Sequence, residues 1–355
     1  MSLKDRIASL VEAQGPMSIA DFMTLALHDP NLGYYAAHDP IGSLGDFITA
    51  PEVSQMFGEL LGLWIVQAWR DQGSPSLCRL VELGPGRGTL TADALRAARL
   101  DPAFLSSIEV VLIESSPRLC AAQAETLKDC GKDIRWFERF DGSLVNRPLF
   151  VLANEFFDAL PIRQYVMTDR GWCERMIGLD AEGNLVFALS PVPVQLVVPS
   201  ERGPPEIGAV YETCPTGEAI VGQVAETIAK QGGAALIVDY GYGANSGFGE
   251  TLQAVSQHKY ANILDTPGDV DLSTHVDFAA LARAAARVGA KAHGPVEQGE
   301  FLRRLGIIQR AEALSRNDLH TVDAELRRLI DPDEMGRLFK AFTILPKTAP
   351  KPEGF

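Results

Sequence analysis

The stretch CRLVELGPGRGTL (residues 78–90) joins a short apolar run to three closely spaced glycines and then to TADALRAAR, which has the composition of a helix. An apolar run of this length ending at glycines reads as a buried strand, so the glycines form a strand-to-helix turn. In open α/β sheets such a turn carries a nucleoside, because glycine lets the backbone bend sharply and approach a ligand closely. The helix beyond it offers unpaired N–H groups and the positive end of its dipole. Gly84, Pro85, Gly86, Gly88 and Thr89 are therefore candidate cofactor-binding residues.

The alternation continues on both sides of this turn. IEVVLIE (108–114), IRWF (134–137), PLFVLAN (148–154) and AALIVDYG (234–241) read as strands, with helices from Pro117 to about Lys128 and over 217–231. FKAFTILP (339–346) reads as a closing strand. Short apolar strands alternating with helices imply a mostly parallel, doubly wound (Rossmann-like) α/β sheet covered on both faces. Upstream, helices are expected up to Gly15-Pro16, from Ser18 to Asp29-Pro30, and over about 52–71. The expected organisation is a helical N-terminal cap over 1–74 with a loop at 45–52, followed by a cofactor-binding domain over 75–350. That domain would carry an antiparallel β insertion at about 162–213, built from IRQYVMT, WCERMIGL, NLVFAL and PVQLVV, and a helical region at about 276–330.

Composition narrows the partners. The 355 residues carry 32 basic and 46 acidic side chains, a net charge of −14, which opposes nucleic acid or anionic lipid as the main partner and favours cationic ones. The 5 cysteines are scattered without a C-x-x-C pair, so neither a disulfide framework nor a metal site is expected, and a reducing compartment, the cytoplasm, is expected. No apolar run approaches the roughly 18 residues of a membrane span. The long apolar helices permit a homodimer without arguing for one.

The turn also selects its nucleoside. A dinucleotide fingerprint is G-x-G-x-x-G, whereas position 89 is Thr and the spacing here is G-x-G-x-G. Glu82, two residues before the first glycine, would repel a pyrophosphate but could hold the ammonium of an amino-acid moiety. S-adenosylmethionine carries that ammonium, a sulfonium and a ribose, with no phosphate. Glu114, ending the next strand, is placed to accept the ribose hydroxyls, with Ser115 beside it. Ligands of such sheets lie outside the carboxyl ends of the strands. PLFVLANEFFDALP puts Asn154, Glu155, Phe156, Phe157 and Asp158 at one of those ends. Asn154 could fix a nucleophilic nitrogen through its amide oxygen, Glu155 and Asp158 could grip a guanidinium, and a phenylalanine could face a cation.

GDFITAPE (45–52), ELGPGRGTL (82–90), ANEFFDALP (153–161), LIVDYG (236–241), DLSTHVDF (271–278), QGEFLRRLG (298–306) and MGRLFKAF (335–342) occur in this order. Together they resemble the MidA-like family of class I S-adenosylmethionine-dependent methyltransferases, over nearly the whole chain from about Ser18 to Pro346. That family includes a mitochondrial protein arginine methyltransferase needed for assembly of respiratory complex I. The wording departs slightly at Ser273-Thr274. The resemblance implies a class I methyltransferase fold and methylation of an arginine on a protein target such as a complex I subunit. It implies that GDFITAPE folds over the cofactor, with Asp46 and Glu52 lining the substrate entrance and Phe47 covering the adenosine or sulfonium. Asn154, Glu155 and Asp158 would then orient the guanidinium, and His275 or Asp46 would accept its proton. Two rivals stay open: methylation of a small molecule or another side chain, and a non-catalytic assembly factor that binds the cofactor. A nicotinamide-dependent oxidoreductase is disfavoured by the glycine spacing.

Overall fold

The apolar run at 78–83 is a strand in which every residue is buried, and 149–154 behaves the same way. Successive side chains of a strand point to opposite faces, so uninterrupted burial means that both faces are covered. The structure is a computed structural model that describes residues 1–37, 48–244, 246–256, 259–316 and 318–355. Seven of the eight strands of the central sheet are β1 (Cys78–Leu83), β2 (Ile108–Ile113), β3 (Ile134–Phe137), β4 (Leu149–Asn154), β5 (Gly233–Tyr242), β6 (Ala290–Glu297) and β7 (Phe339–Pro346). They lie in the order β3-β2-β1-β4-β5-β7-β6, and the two-residue strand Val276–Asp277 pairs with β5 off this path. Neighbours from β3 to β5 are parallel, whereas β7 is antiparallel to both β5 and β6. The order reverses between β1 and β4. Their carboxyl ends, Leu83 and Asn154, therefore open the crevice in which sheets of this kind bind ligands.

The chain divides into two compact units. One comprises residues 48–157, 218–241 and 278–355 and contains the central sheet. Its core gathers Phe57, Trp64, Phe104, Phe150, Leu236 and Phe301 among others. Here the helix expected over about 52–71 is two pieces, Ala50–Val53 and Gln55–Asp71. Ser54 separates them in an extended conformation (φ −160°), and its hydroxyl accepts from Met56 N at 3.3 Å. A side-chain cap of this kind lets a second helix restart in a new direction. The long helix lies close against Thr89–Ala98: a Cβ on Gly58 would fall 2.6 Å from Asp93 Cβ, and one on Gly62 would fall 2.5 Å from Ala94 Cα. These glycines are four residues apart, on one helix face.

The other unit comprises residues 1–47, 158–217 and 242–277. Helices Leu3–Gln14 and Ile19–His28 share a core with Ile162, Ile177 and Leu272. Ser2 and Ser18 cap these helices, as their Asp partners three residues on suggest. The antiparallel insertion forms from Arg163–Thr168, Gly171–Leu179, Leu185–Leu189 and Val210–Thr213. PVQLVV (193–198) is not among these strands, and Val197 is 95% exposed. Prolines at 191, 193 and 199 bracket it and remove donors that a ladder needs. The region expected to be helical over 276–330 likewise contains a strand, β6, which pairs with β7.

Candidate functional site

At the end of β1 the three glycines have left-handed backbones, with φ of +62° at Gly84, +54° at Gly86 and +85° at Gly88. Side chains are strained in that region, so the turn needs glycine at each of these positions. Gly84 N donates to Ile113 O of β2 at 3.1 Å, and Gly88 N donates to Pro85 O at 2.7 Å. A Cβ on Gly84 would come within 2.7 Å of the Phe156 ring, so the glycine turn and the end of β4 are in close packing. Gly88 caps Thr89–Ala98 without any side-chain acceptor. The Thr89 hydroxyl instead donates to the carboxylate of Glu52. An acid already stationed at this helix start makes it a poor seat for a pyrophosphate.

Glu82 is buried, and burial pushes its carboxyl up to about 7, against the lowering effect of its hydrogen bonds to Thr91. The Thr91 hydroxyl donates to Glu82 Oε2. An approaching cation favours the ionised carboxylate and so opposes this rise. Glu114 accepts from Ser116 N at 2.8 Å and from Gln123 Nε2 at 3.2 Å. Burial raises its pKa while those bonds oppose the rise. Ser115 is exposed beside it.

Gln123 carries no functional assignment from sequence, yet it connects these parts. Its Nε2 also donates to Gly86 O at 2.8 Å, and its Oε1 accepts from Trp136 Nε1 at 2.9 Å. The residue is completely buried. The available signal was a polar residue on the inward face of helix Pro117–Leu127, whose other buried residues are Leu119 and Leu127.

At the end of β4, Asn154 Nδ2 donates to Glu155 Oε1 at 3.0 Å. Asn154 Oδ1 is buried without a hydrogen-bond partner among the described residues. A buried amide oxygen costs free energy until something donates to it, so this atom suits a ligand or substrate N–H. Glu155 adopts φ +49°, a left-handed conformation in a residue with a side chain. Its Oε1 also accepts from Ala50 N at 3.0 Å. The end of the GDFITAPE stretch thus meets the carboxylate through its backbone. Asp46 and Phe47 lie outside the described residues.

Glu82, the glycine turn, Thr89, Glu114, Asn154 and Glu155 therefore fall within one unit, around the carboxyl ends of β1, β2 and β4. Asp158 and His275 belong to the other unit. There the Asp158 carbonyl accepts from Thr274 N at 2.9 Å and from its hydroxyl at 3.2 Å. His275 N donates to Thr251 Oγ1 at 2.9 Å, and burial lowers the His275 pKa. The residues of the sheet unit fit S-adenosylmethionine. They offer a buried acid for its ammonium, an acid near the ribose position and a turn with glycine at three of its five positions.

Comparison with known proteins agrees with this chemistry. The family model described as "Putative S-adenosyl-L-methionine-dependent methyltransferase" matches residues 60–296. The chain is 37% identical over 371 residues to the Danio rerio protein arginine methyltransferase NDUFAF7, mitochondrial, covering 97% of this chain and 87% of the relative. Its Homo sapiens counterpart is 34% identical over 367 residues, covering 95% and 81%. A crystal structure of a COG1565 superfamily member from Burkholderia thailandensis, bound to S-adenosyl-homocysteine, superposes with a TM-score of 0.83 at 28% identity. The match covers 99% of this chain and 93% of that one. These relatives correct the expectation of a cytoplasmic protein, because the curated ones are mitochondrial by name. Cysteine usage reports only that a compartment is reducing and does not separate one such compartment from another.

Proposed function

Since the chain belongs to this family of S-adenosyl-L-methionine-dependent methyltransferases, we propose that it is a protein arginine N-methyltransferase whose target is a subunit of respiratory complex I. The names of its curated relatives support arginine as the acceptor. The observation that carries the reading in this chain is the pairing at the end of β4: Asn154 Oδ1, buried and without a partner among the described residues, beside Glu155 held at φ +49°. Residues in sparsely populated backbone conformations persist only where their surroundings hold them there, and they concentrate at functional sites.

Bound at this site, S-adenosylmethionine supplies an electrophilic methyl group on a sulfonium. Glu82 attracts the ammonium and ionises as it does so. Glu114, steadied by Gln123 and Ser116, accepts the ribose hydroxyls. The glycine turn leaves the backbone open to the ligand, and Phe156 packs against Gly84 from the side of β4. Asn154 Oδ1 accepts an N–H of the incoming guanidinium and turns one nitrogen toward the methyl. Glu155 orients the same group through its carboxylate and takes up the proton that the nitrogen loses as the N–C bond forms and the C–S bond of the sulfonium breaks. Alignment supplies most of the acceleration in a displacement of this kind.

The test is incorporation of label from methyl-labelled S-adenosylmethionine into protein of a matching cell extract, followed by amino-acid analysis of the product. Methylarginine is expected. Methyl-lysine or a labelled small molecule would refute the guanidinium assignment. Tight binding of S-adenosylhomocysteine with no transfer to any acceptor would instead establish a non-catalytic assembly factor.

A further inference from the structure

LIVDYG ends β5 with an acid that the function above does not use. Asp239 is completely buried, a costly position for a carboxylate without donors. Three backbone N–H groups meet it. Oδ2 accepts from Phe156 N at 3.2 Å and Phe157 N at 2.9 Å, and Oδ1 accepts from Tyr240 N at 2.9 Å. Two of these donors belong to the turn that leaves β4, the turn in which Glu155 takes its left-handed conformation. On the upstream side the turn is held by the sheet: Asn154 is in register with Val238, and Glu155 N donates to Val238 O at 3.0 Å. On the downstream side the Phe156 ring rests against Gly84. Hydrogen bonds of backbone N–H groups to a carboxylate are the strong, short-range kind that can hold an unfavourable φ in place.

We infer that Asp239 is a positioning residue for methyl transfer: by holding the N–H groups of Phe156 and Phe157 it fixes the strained turn that aims Asn154 Oδ1 and Glu155 at the acceptor nitrogen. The inference rests on the roles of Asn154 and Glu155 proposed above. An amide cannot replace this carboxylate. Asparagine has one acceptor oxygen and one NH2, so either Tyr240 N or the Phe156–Phe157 pair would face a donor.

Asp239→Asn tests the assignment in the full-length protein. Its affinity for S-adenosylhomocysteine, by calorimetry, should stay within about threefold of wild type, because the proposed ammonium and ribose ligands, Glu82 and Glu114, lie on β1 and just beyond β2. Labelled methyl transfer at saturating donor should fall by about thirtyfold or more. Asn154→Ala and the double variant complete a cycle. If Asp239 acts through Asn154, the double variant should be no more than about twofold slower than the slower single variant, whereas independent roles multiply the losses. Hydrogen exchange on the wild-type protein guards against a variant that fails to fold. The Phe156 and Phe157 amides should be protected as strongly as those of β5, and fast exchange at these two positions would overturn the clamp. No transfer by the wild-type protein would overturn the functional reading and this inference together. Transfer by wild type with multiplicative losses in the double variant would overturn this inference alone.

Discussion

Glu82 and Glu114 are both acids in poorly solvated surroundings, and their chemistry makes different demands on them. Burial raises Glu82 from 4.5 to about 7. The folded state therefore holds this proton more tightly than the unfolded chain does. The ligand-free protein should lose stability as pH climbs from about 4.5 to about 7, and lose no more from this group above that. The Glu82 share is on the order of 3 kcal/mol, at 1.36 kcal/mol per pKa unit. Glu82→Gln should flatten that part of the pH profile of thermal unfolding. An approaching ammonium lowers the pKa again, so binding S-adenosylhomocysteine near pH 6.5 should release a fraction of a proton. Calorimetry in buffers of different ionisation enthalpy measures this release, and its absence would move the ammonium contact off Glu82. Glu114→Ala should weaken S-adenosylhomocysteine binding by about 1.5–3 kcal/mol, the range for hydrogen bonds to a charged group. Unchanged affinity would send the ribose role elsewhere, most directly to Ser115.

The helix Gln55–Asp71 and the helix after the glycine turn are held at a separation that only glycine permits. Alanine normally improves a helix interior by about 1 kcal/mol over glycine. At Gly62 the sign should reverse, because the new Cβ would lie 2.5 Å from Ala94 Cα, a backbone atom that cannot swing aside. Gly62→Ala should cost about 1–3 kcal/mol of stability, the range for overpacking. Denaturant unfolding reads this directly, and a stabilised variant would show that the helix pair can separate freely. Gly84→Ala combines a φ of +62° with a collision against Phe156. It should lose cofactor binding at a thermal stability still high enough to measure. The helix pair was not legible in the sequence. Gly58 and Gly62 look like weak points in a helix until Asp93 and Ala94 are placed against them.

A chain with a net charge of −14 should attract an arginine-bearing protein from a distance. The screening length shrinks from about 30 Å at 0.01 M salt to about 8 Å at 0.15 M. The kcat/KM for the protein target should accordingly fall several-fold across that range, while affinity for S-adenosylhomocysteine changes much less. A rate on protein target that ignores salt would separate the acidic surface from target capture.

The sequence by itself determined the parallel sheet and the glycine turn. Strands buried on both faces are mostly apolar, and left-handed turns favour glycine, so CRLVEL, LFVLAN and ELGPGRG carry their structure in their composition. Elements whose burial is partial or borrowed were decided by tertiary structure. β6 reads AKAHGPVE, with Ala290 its only buried residue, and becomes a strand by pairing with β7. PVQLVV is apolar yet stays outside any strand, between prolines. The same division runs through the site. The placement of Glu82, Glu114, Asn154 and Glu155 at strand ends was legible because each ends or adjoins a recognisable strand. The contacts that tie Gln123 and Asp239 to these parts were not, because they reach far along the sequence, 37 residues to Gly86 and 83 to Phe156. A buried polar side chain is defined by the donors and acceptors the fold brings to it, and those exist only once the chain has closed.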